Sequence, residues 1–319
     1  MVRGLSLVLV SLTVWGLGGC ARHDIHLTTK TLSYVEIKGV PFHPQEAYQC
    51  GPSSLQMVAD YWRKTGEDVR NVAYEAIEKT TFVPGKKGSF QPQMVAAARQ
   101  LGLLVAVSRD NADLFELLNA GFPVIVLLNQ GTSTIPVWHY AVVVGYDLDR
   151  QLMILRSGET ERQVMKISTF YEFFARSGYW KLIAFPPTMV PAGMGEAVFM
   201  KAAFELEQTL DDAAVERAYE TALKEWPDSR KVKLVAANYF FRIEQYQRAY
   251  AIYHDVVLNT PEDPVALNNM AEALYGLGAF DQALEVIQKA MRLLGREYRD
   301  ELEDTRKKIL RKIPSGTLH

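Results

Sequence analysis

Cys50 lies in the segment Gln45-Glu46-Ala47-Tyr48-Gln49-Cys50-Gly51-Pro52-Ser53-Ser54-Leu55, directly before a Gly-Pro pair. Leu55, Val58, Ala59 and Trp62 then recur at helical spacing and predict a helix over 53–64. The thiol therefore stands at a helix start. Pro52 is tolerated in that first turn because its missing N–H had no partner to lose. Free N–H groups and the helix dipole favour a thiolate at that end, so Cys50 is expected to titrate below the roughly 8.5 of a free thiol. A glutamine just upstream, Gln45 or Gln49, could aim an amide at an oxyanion. Nucleophile, activation and oxyanion donor thus fall within one short segment. The bland alternative is a buried, inert cysteine, which is common.

A cysteine nucleophile needs a base, and the chain offers six histidines: His23, His26, His43, His139, His254 and His319. The first two lie in a polar leader, the last at a terminus, and His254 in a helical region far from the thiol. His43 stands seven residues before Cys50 and could approach it, although a loop histidine is more often solvated. His139 has the best context. It sits in Pro136-Val137-Trp138-His139-Tyr140-Ala141-Val142-Val143-Val144-Gly145-Tyr146-Asp147, at the entry to the most hydrophobic strand of its region.

A cysteine at a helix start and a histidine at a strand start are how papain-like enzymes bring thiol and imidazole together. The segments 45–54 and 139–146 resemble the bacteriocin-processing cysteine peptidases, papain-like enzymes that cut leader peptides after a double glycine, often as the N-terminal domain of an exporter. The resemblance covers about residues 38–187. It implies Cys50 as nucleophile, His139 as base and Gln45 as oxyanion donor, with Gln49 as a rival. It also implies an Asp or Asn on the next strand to orient the imidazole. That strand reads Leu152-Met153-Ile154-Leu155-Arg156-Ser157-Gly158, and Ser157 falls about where the acid should be. A hydroxyl can orient a histidine but stabilises an imidazolium less than a carboxylate does. Asp147 and Asp149 are expected in the turn at the far end of the histidine strand.

The elements that must position these residues follow from periodicity. A strand is expected over 34–40. Helices are expected over 53–64, 67–79, 93–101 and 111–120, with a short strand at 103–107. Short β-rich runs come next, at 122–128, 139–147, 151–155, 162–167 and 179–185. Helices first and strands afterwards suggest an α+β domain over 34–187, a helical half packed on a mostly antiparallel sheet. A Pro/Gly-rich stretch, 186–193, then marks a boundary, with a linker over 188–196.

Beyond it the chain repeats. Pro227 and Pro261, Tyr246 and Phe280, and Ala249 and Ala283 are each 34 residues apart, and Tyr219, Tyr253 and Ile287 keep that step. This is the tetratricopeptide period. Such units bury their apolar faces only by stacking, so about three are expected, at 197–230, 231–264 and 265–298. The first is degenerate, with Val215 at the small-alanine position. Residues 299–319 should form a solvating helix and tail. The expected fold class is an α+β papain-like cysteine peptidase domain followed by an all-α tetratricopeptide-repeat domain.

The other cysteine has a different context. Met1-Val2-Arg3, an apolar run from Leu5 to Leu17, and Leu17-Gly18-Gly19-Cys20 have the anatomy of a secretory signal over 1–19, too short for a spanning helix. Leu-Gly-Gly-Cys resembles the bacterial lipobox, which implies lipid on Cys20 and a tether over 20–33. Ala21 and Arg22 follow instead of an acidic residue, and by resemblance to Gram-negative lipoproteins that favours the periplasmic face of the outer membrane. Of the chain's 2 cysteines, a lipidated Cys20 leaves Cys50 without a disulfide partner. With 35 basic residues against 37 acidic, no global field calls for nucleic acid. No cofactor or metal is expected. The expected function is a lipid-anchored cell-envelope cysteine peptidase using Cys50 and His139, with peptide or protein substrates and a protein partner on the repeats. The alternative is a weak or inactive peptidase-like scaffold that binds peptide in an envelope assembly.

Overall fold

The computed structural model describes residues 31–45, 48–83, 85, 88–210, 213–293 and 299–313. The expected signal segment, Cys20, His23, His26 and His319 lie outside the described residues. In the first domain the elements run β1 (Tyr34–Glu36), α1 (Cys50–Lys64), α2 (Tyr74–Thr81), β2 (Phe82–Val83), β3 (Gly88–Ser89), α3 (Gln91–Gln100), β4 (Leu104–Ser108), α4 (Leu114–Asn119), β5 (Val124–Asn129), β6 (Trp138–Asp147), β7 (Leu152–Ser157), β8 (Thr160–Lys166), α5 (Ile167–Arg176) and β9 (Lys181–Phe185). Helix pairs follow: α6 (Glu196–Glu207), α7 (Ala213–Glu225), α8 (Arg230–Arg242), α9 (Tyr246–Asn259), α10 (Pro264–Gly276), α11 (Phe280–Leu293) and α12 (Arg299–Leu310).

The main sheet runs β4-β9-β5-β6-β7-β8, with β1 on the part of β6 that extends past β5. Every strand pair is antiparallel. Val124 to Leu128 and Tyr140 to Tyr146 are buried without alternation, as strands covered on both faces are. Helix α1 packs on β6, and Leu55, Met57, Val58 and Trp62 of α1 are buried in the core. The Trp62 indole N–H also donates to the Ala184 carbonyl at 2.9 Å, which ties α1 to β9. Gly145 is required where β1 crosses β6: a Cβ there would stand 2.1 Å from the Val35 carbonyl oxygen.

Several expected boundaries move. Residues 67–73 do not join a helix; the Arg70 N–H is taken by the Leu101 carbonyl at 3.0 Å, and the helix begins only at Tyr74. Of the expected helix over 111–120, only Leu114–Asn119 forms, because an Asp110 carboxylate oxygen accepts the Ala112 N–H and shapes a turn before it. The strand read to Ile167 ends one residue earlier, where α5 begins. That helix was absent from the sequence reading, although its buried residues Ile167, Phe170, Tyr171 and Phe174 keep helical spacing.

In the second domain, α8 and α10 open at residues 230 and 264, and α9 and α11 at 246 and 280, so the paired helices keep the 34-residue step. Ser229 and Asp263 cap α8 and α10 with side-chain oxygens. Val215, Ala249 and Ala283 are all fully buried between helices. The fold is thus an α+β domain with an antiparallel sheet, followed by an all-α array of paired helices. Among the described residues no helix is long and apolar enough to cross a membrane.

The two domains share a core. Helix α6 packs on β4, and Arg99 pairs with Glu205 while Arg217 pairs with Asp68. An aromatic run links the α1 helix to the repeats. Ring centroids are 5.4 Å apart for Trp62 and Phe122, 6.5 Å for Phe122 and Phe185, 6.2 Å for Phe185 and Phe199, and 5.4 Å for Phe199 and Trp226.

Candidate active site

Cys50 is the first residue of α1, three residues earlier than the periodicity of the following residues suggested. Gly51 allows that start to sit tightly on β3: a Cβ at 51 would lie 2.4 Å from Ser89 Oγ and 2.9 Å from Met94 Sδ. Upstream, Tyr48 holds a positive φ of 70°, a conformation that bulky residues rarely adopt, and its ring is exposed at the rim of the site.

Cys50, His139 and Gln45 line one cleft with a volume of ≈ 900 Å³. One wall carries Gly88, Ser89, Phe90 and Gln93; the other carries Pro136, Val137 and Trp138. The second wall is shaped by Asn129, whose side-chain oxygen accepts the N–H groups of Gly131 and Val137, each at 3.0 Å. The backbone N–H groups of Tyr140, Gly51 and Cys50 itself favour a negative charge on the Cys50 sulfur. Tyr140 directly follows His139 on β6, so the helix start and the histidine strand meet at the sulfur.

His139 sits opposite Leu128 in the β5–β6 ladder, and its Nε2 is 2.8 Å from Ser157 Oγ. Ser157 ends β7 and is buried. No carboxylate bonds to the imidazole among the described residues. Asp147 is eight residues further along β6, roughly 26 Å at strand rise, and accepts the Arg150 N–H in the β6–β7 turn at 2.9 Å. His43 is also elsewhere: it bonds Asp60 at 2.7 Å, well down α1 from the thiol.

Gln45 is buried at 7 % exposure. Its side-chain oxygen accepts the Gly158 N–H at 2.8 Å, and its backbone N–H donates to the Gly158 carbonyl at 3.0 Å. This double contact with the residue after Ser157 orients the amide. Gln45 Nε2 is left buried with no hydrogen-bond partner among the described residues. Gln49 is placed differently. Its Nε2 donates to Glu78 at 2.9 Å and its oxygen accepts from Tyr74 at 3.3 Å, so it braces the start of α1 against α2.

Electrostatics depart from expectation. Burial pushes the Cys50 thiol up, and the three backbone N–H groups only partly offset it. The expected depression of this thiol is therefore corrected: the helix end acts, but desolvation of the anion outweighs it. Burial likewise pushes the His139 imidazole down. Both shifts favour the neutral forms, thiol and imidazole, over their ions.

Two further cleft atoms escaped the sequence reading. Ser89 Oγ and Gln93 Oε1 are buried without partners among the described residues. They come from β3 and α3, and nothing in their spacing from Cys50 or His139 announces them. Among the described residues no three His, Cys, Asp or Glu side chains gather as they would to hold a metal ion.

Residues 37–185, a little under half of the chain, match the model of a family described as Peptidase_C39 like family. Among solved structures, a putative C39-like peptidase from Bacillus anthracis is similar at 13% identity and a TM-score of 0.40, over 48% of this chain and 98% of that one. The peptidase domain of Streptococcus ComA, a bifunctional ABC transporter involved in a quorum sensing pathway, is similar at 20% identity and a TM-score of 0.35, over 46% and 98%. On the helical side, MamA from Desulfovibrio magneticus RS-1 is similar at 20% identity and a TM-score of 0.31, over 37% and 71%. Among curated proteins none matches the chain at a significant level.

Proposed function

We propose that the chain is a cysteine peptidase of the cell envelope, anchored by lipid on Cys20 at the periplasmic face of the outer membrane. The observation that carries the catalytic part is Gln45. A buried amide whose oxygen is tied down and whose N–H has no partner among the described residues, in the cleft that holds Cys50, is what an oxyanion donor requires before substrate arrives. The family match over 37–185 supports a peptidase-like role. The anchor rests on the sequence of residues 1–20 alone.

Chemistry would start from the neutral pair. With His139 Nε2–H donating to Ser157 Oγ, Nδ1 keeps its lone pair for the thiol proton. As Cys50 Sγ attacks the scissile carbonyl carbon, its proton passes to Nδ1, and the carbonyl oxygen becomes an oxyanion facing Gln45 Nε2–H and the Cys50 N–H. Collapse breaks the C–N bond, and Nδ1 returns the proton to the leaving amine. His139 then takes a proton from water as the water oxygen attacks the thioester carbon; collapse breaks the C–S bond, frees the acid and returns that proton to the Cys50 sulfur. Ser157 orients the imidazole without a charge to stabilise its protonated form. The helix pairs of 197–298 would recruit the substrate or a partner protein.

A second reading, a weak or inactive scaffold that binds peptide, is favoured by two observations. No carboxylate bonds to His139, and burial raises the Cys50 thiol. One experiment separates the two: labelling of the intact protein by a peptidyl electrophile, with Cys50→Ala and His139→Ala controls. A peptidase loses labelling in both variants. A scaffold takes the reagent no faster than a small alkylator does, and His139→Ala changes nothing.

A further inference from the structure

We propose that Ser89 and Gln93 form a clamp for one main-chain peptide unit of the substrate, next to the scissile bond. The proposal rests on the peptidase reading above and adds a substrate contact to it.

Three residues that line the cleft each carry a buried polar atom without a hydrogen-bond partner among the described residues: Gln45 Nε2, Ser89 Oγ and Gln93 Oε1. Buried polar atoms are nearly always paired in native proteins, so three orphans in one cleft mark places where a ligand completes the bonding. Gln45 supplies a donor, already matched to an oxyanion. The other two come from β3 and the first turn of α3. Gln93 Oε1 can only accept, so its partner must be a donor, which a peptide main chain offers as its N–H. Ser89 Oγ carries a proton that a carbonyl can take. One acceptor and one hydroxyl donor match the N–H and C=O of a peptide unit.

Position places that unit beside the reaction. Ser89 Oγ packs so closely on Gly51, the residue after the nucleophile, that a Cβ there would come within 2.4 Å. Charge favours main chain over a charged side chain: among the described residues no Asp, Glu, Lys or Arg lines the cleft. A volume of ≈ 900 Å³ also accommodates a short extended peptide.

The test compares two alkylators of Cys50 in the full chain. Acetyl-Ala-Ala-Ala chloromethyl ketone loses chloride to the Cys50 sulfur and can occupy the clamp; iodoacetamide alkylates the same atom without a peptide. Gln93→Met should slow labelling by the peptide reagent roughly tenfold and leave iodoacetamide labelling unchanged. Ser89→Ala should act in the same sense, and Gln93→Glu, which keeps an acceptor oxygen, should restore most of the rate. Methylating the amide nitrogens of the reagent in turn should reveal one position that slows the unsubstituted protein by a similar factor and slows Gln93→Met no further.

The clamp is overturned if Gln93→Met changes both alkylation rates in proportion, or if every methylated reagent loses as much in Gln93→Met as in the parent. In that case, preferential and His139-dependent labelling by the peptide reagent would leave the peptidase reading standing. If the parent shows no such preference, the peptidase reading fails, and binding of acetyl-Ala-Ala-Ala amide to the Cys50→Ala protein by NMR titration decides the clamp. Weaker binding on adding Gln93→Met keeps it; equal binding overturns it.

Discussion

Burial displaces the Cys50 thiol upward and the His139 imidazole downward, so the form with both groups neutral spans a wide pH range. If that form enters catalysis, peptide hydrolysis should hold a plateau through neutrality. It should fall on the acid side only below the roughly 6.5 of a free imidazole, as His139 gains a proton it cannot share with the thiol. Alkylation by iodoacetamide, which reads thiolate, should have its midpoint above roughly 8.5. A thiol midpoint below that value would show an ion pair at rest. Ser157 offers the complementary test. Ser157→Asp places a carboxylate beside Nε2, favours imidazolium and with it thiolate, and should move the alkylation midpoint to lower pH. Ser157→Ala removes a 2.8 Å contact and should lower turnover several-fold. At this scale the residues that meet in the cleft were largely legible beforehand: Cys50 and His139 from their places at a helix start and a strand start, Gln45 and Ser157 from the family resemblance. The direction of the thiol shift was not legible, since desolvation depends on what packs around the sulfur from β6 and β3.

At the scale of elements, the helix start is held by close approach. Gly51→Ala would force Ser89 or Met94 aside. Overpacking of this kind costs about 1–3 kcal/mol, read as a lower urea midpoint, and Cys50 labelling should fall with it. Ser89→Gly in the same chain removes the nearest atoms and should recover most of the stability. Strand locations were largely visible in apolar runs such as 122–128, because strands covered on both sides need few polar residues. Helix α5 was missed because its β-branched and aromatic start, Ile167 to Tyr171, follows a strand without a Gly or Pro break. The stretch 67–73 was read as helix because its apolar residues recur at helical spacing, yet Arg70 finds its partner at Leu101. No local pattern reveals a tertiary hydrogen bond.

Over the whole molecule, the Pro/Gly-rich stretch suggests a seam, but Phe199 of α6 is fully buried against Phe185 and Trp226. Calorimetry of the described domains should therefore show one unfolding transition. Phe199→Ala, losing about 3–5 kcal/mol, should split it into two. A fragment ending at residue 187 should be less stable than the same residues within the chain; equal stability would show that the interface contributes nothing. The aromatic run from Trp62 to Trp226 also bears on how such chains can arise. Recombination that exchanges one repeat array for another has to leave these rings matched. A crossover within 186–193 would deliver a donor array lacking the complement to Phe185, whereas one beyond Trp226 would keep the first helix pair with its peptidase-like partner. The unit that has to travel together to keep this aromatic run is then the first domain with α6, α7 and Trp226, and an incoming array would still have to match Tyr219, whose ring stacks on Tyr239.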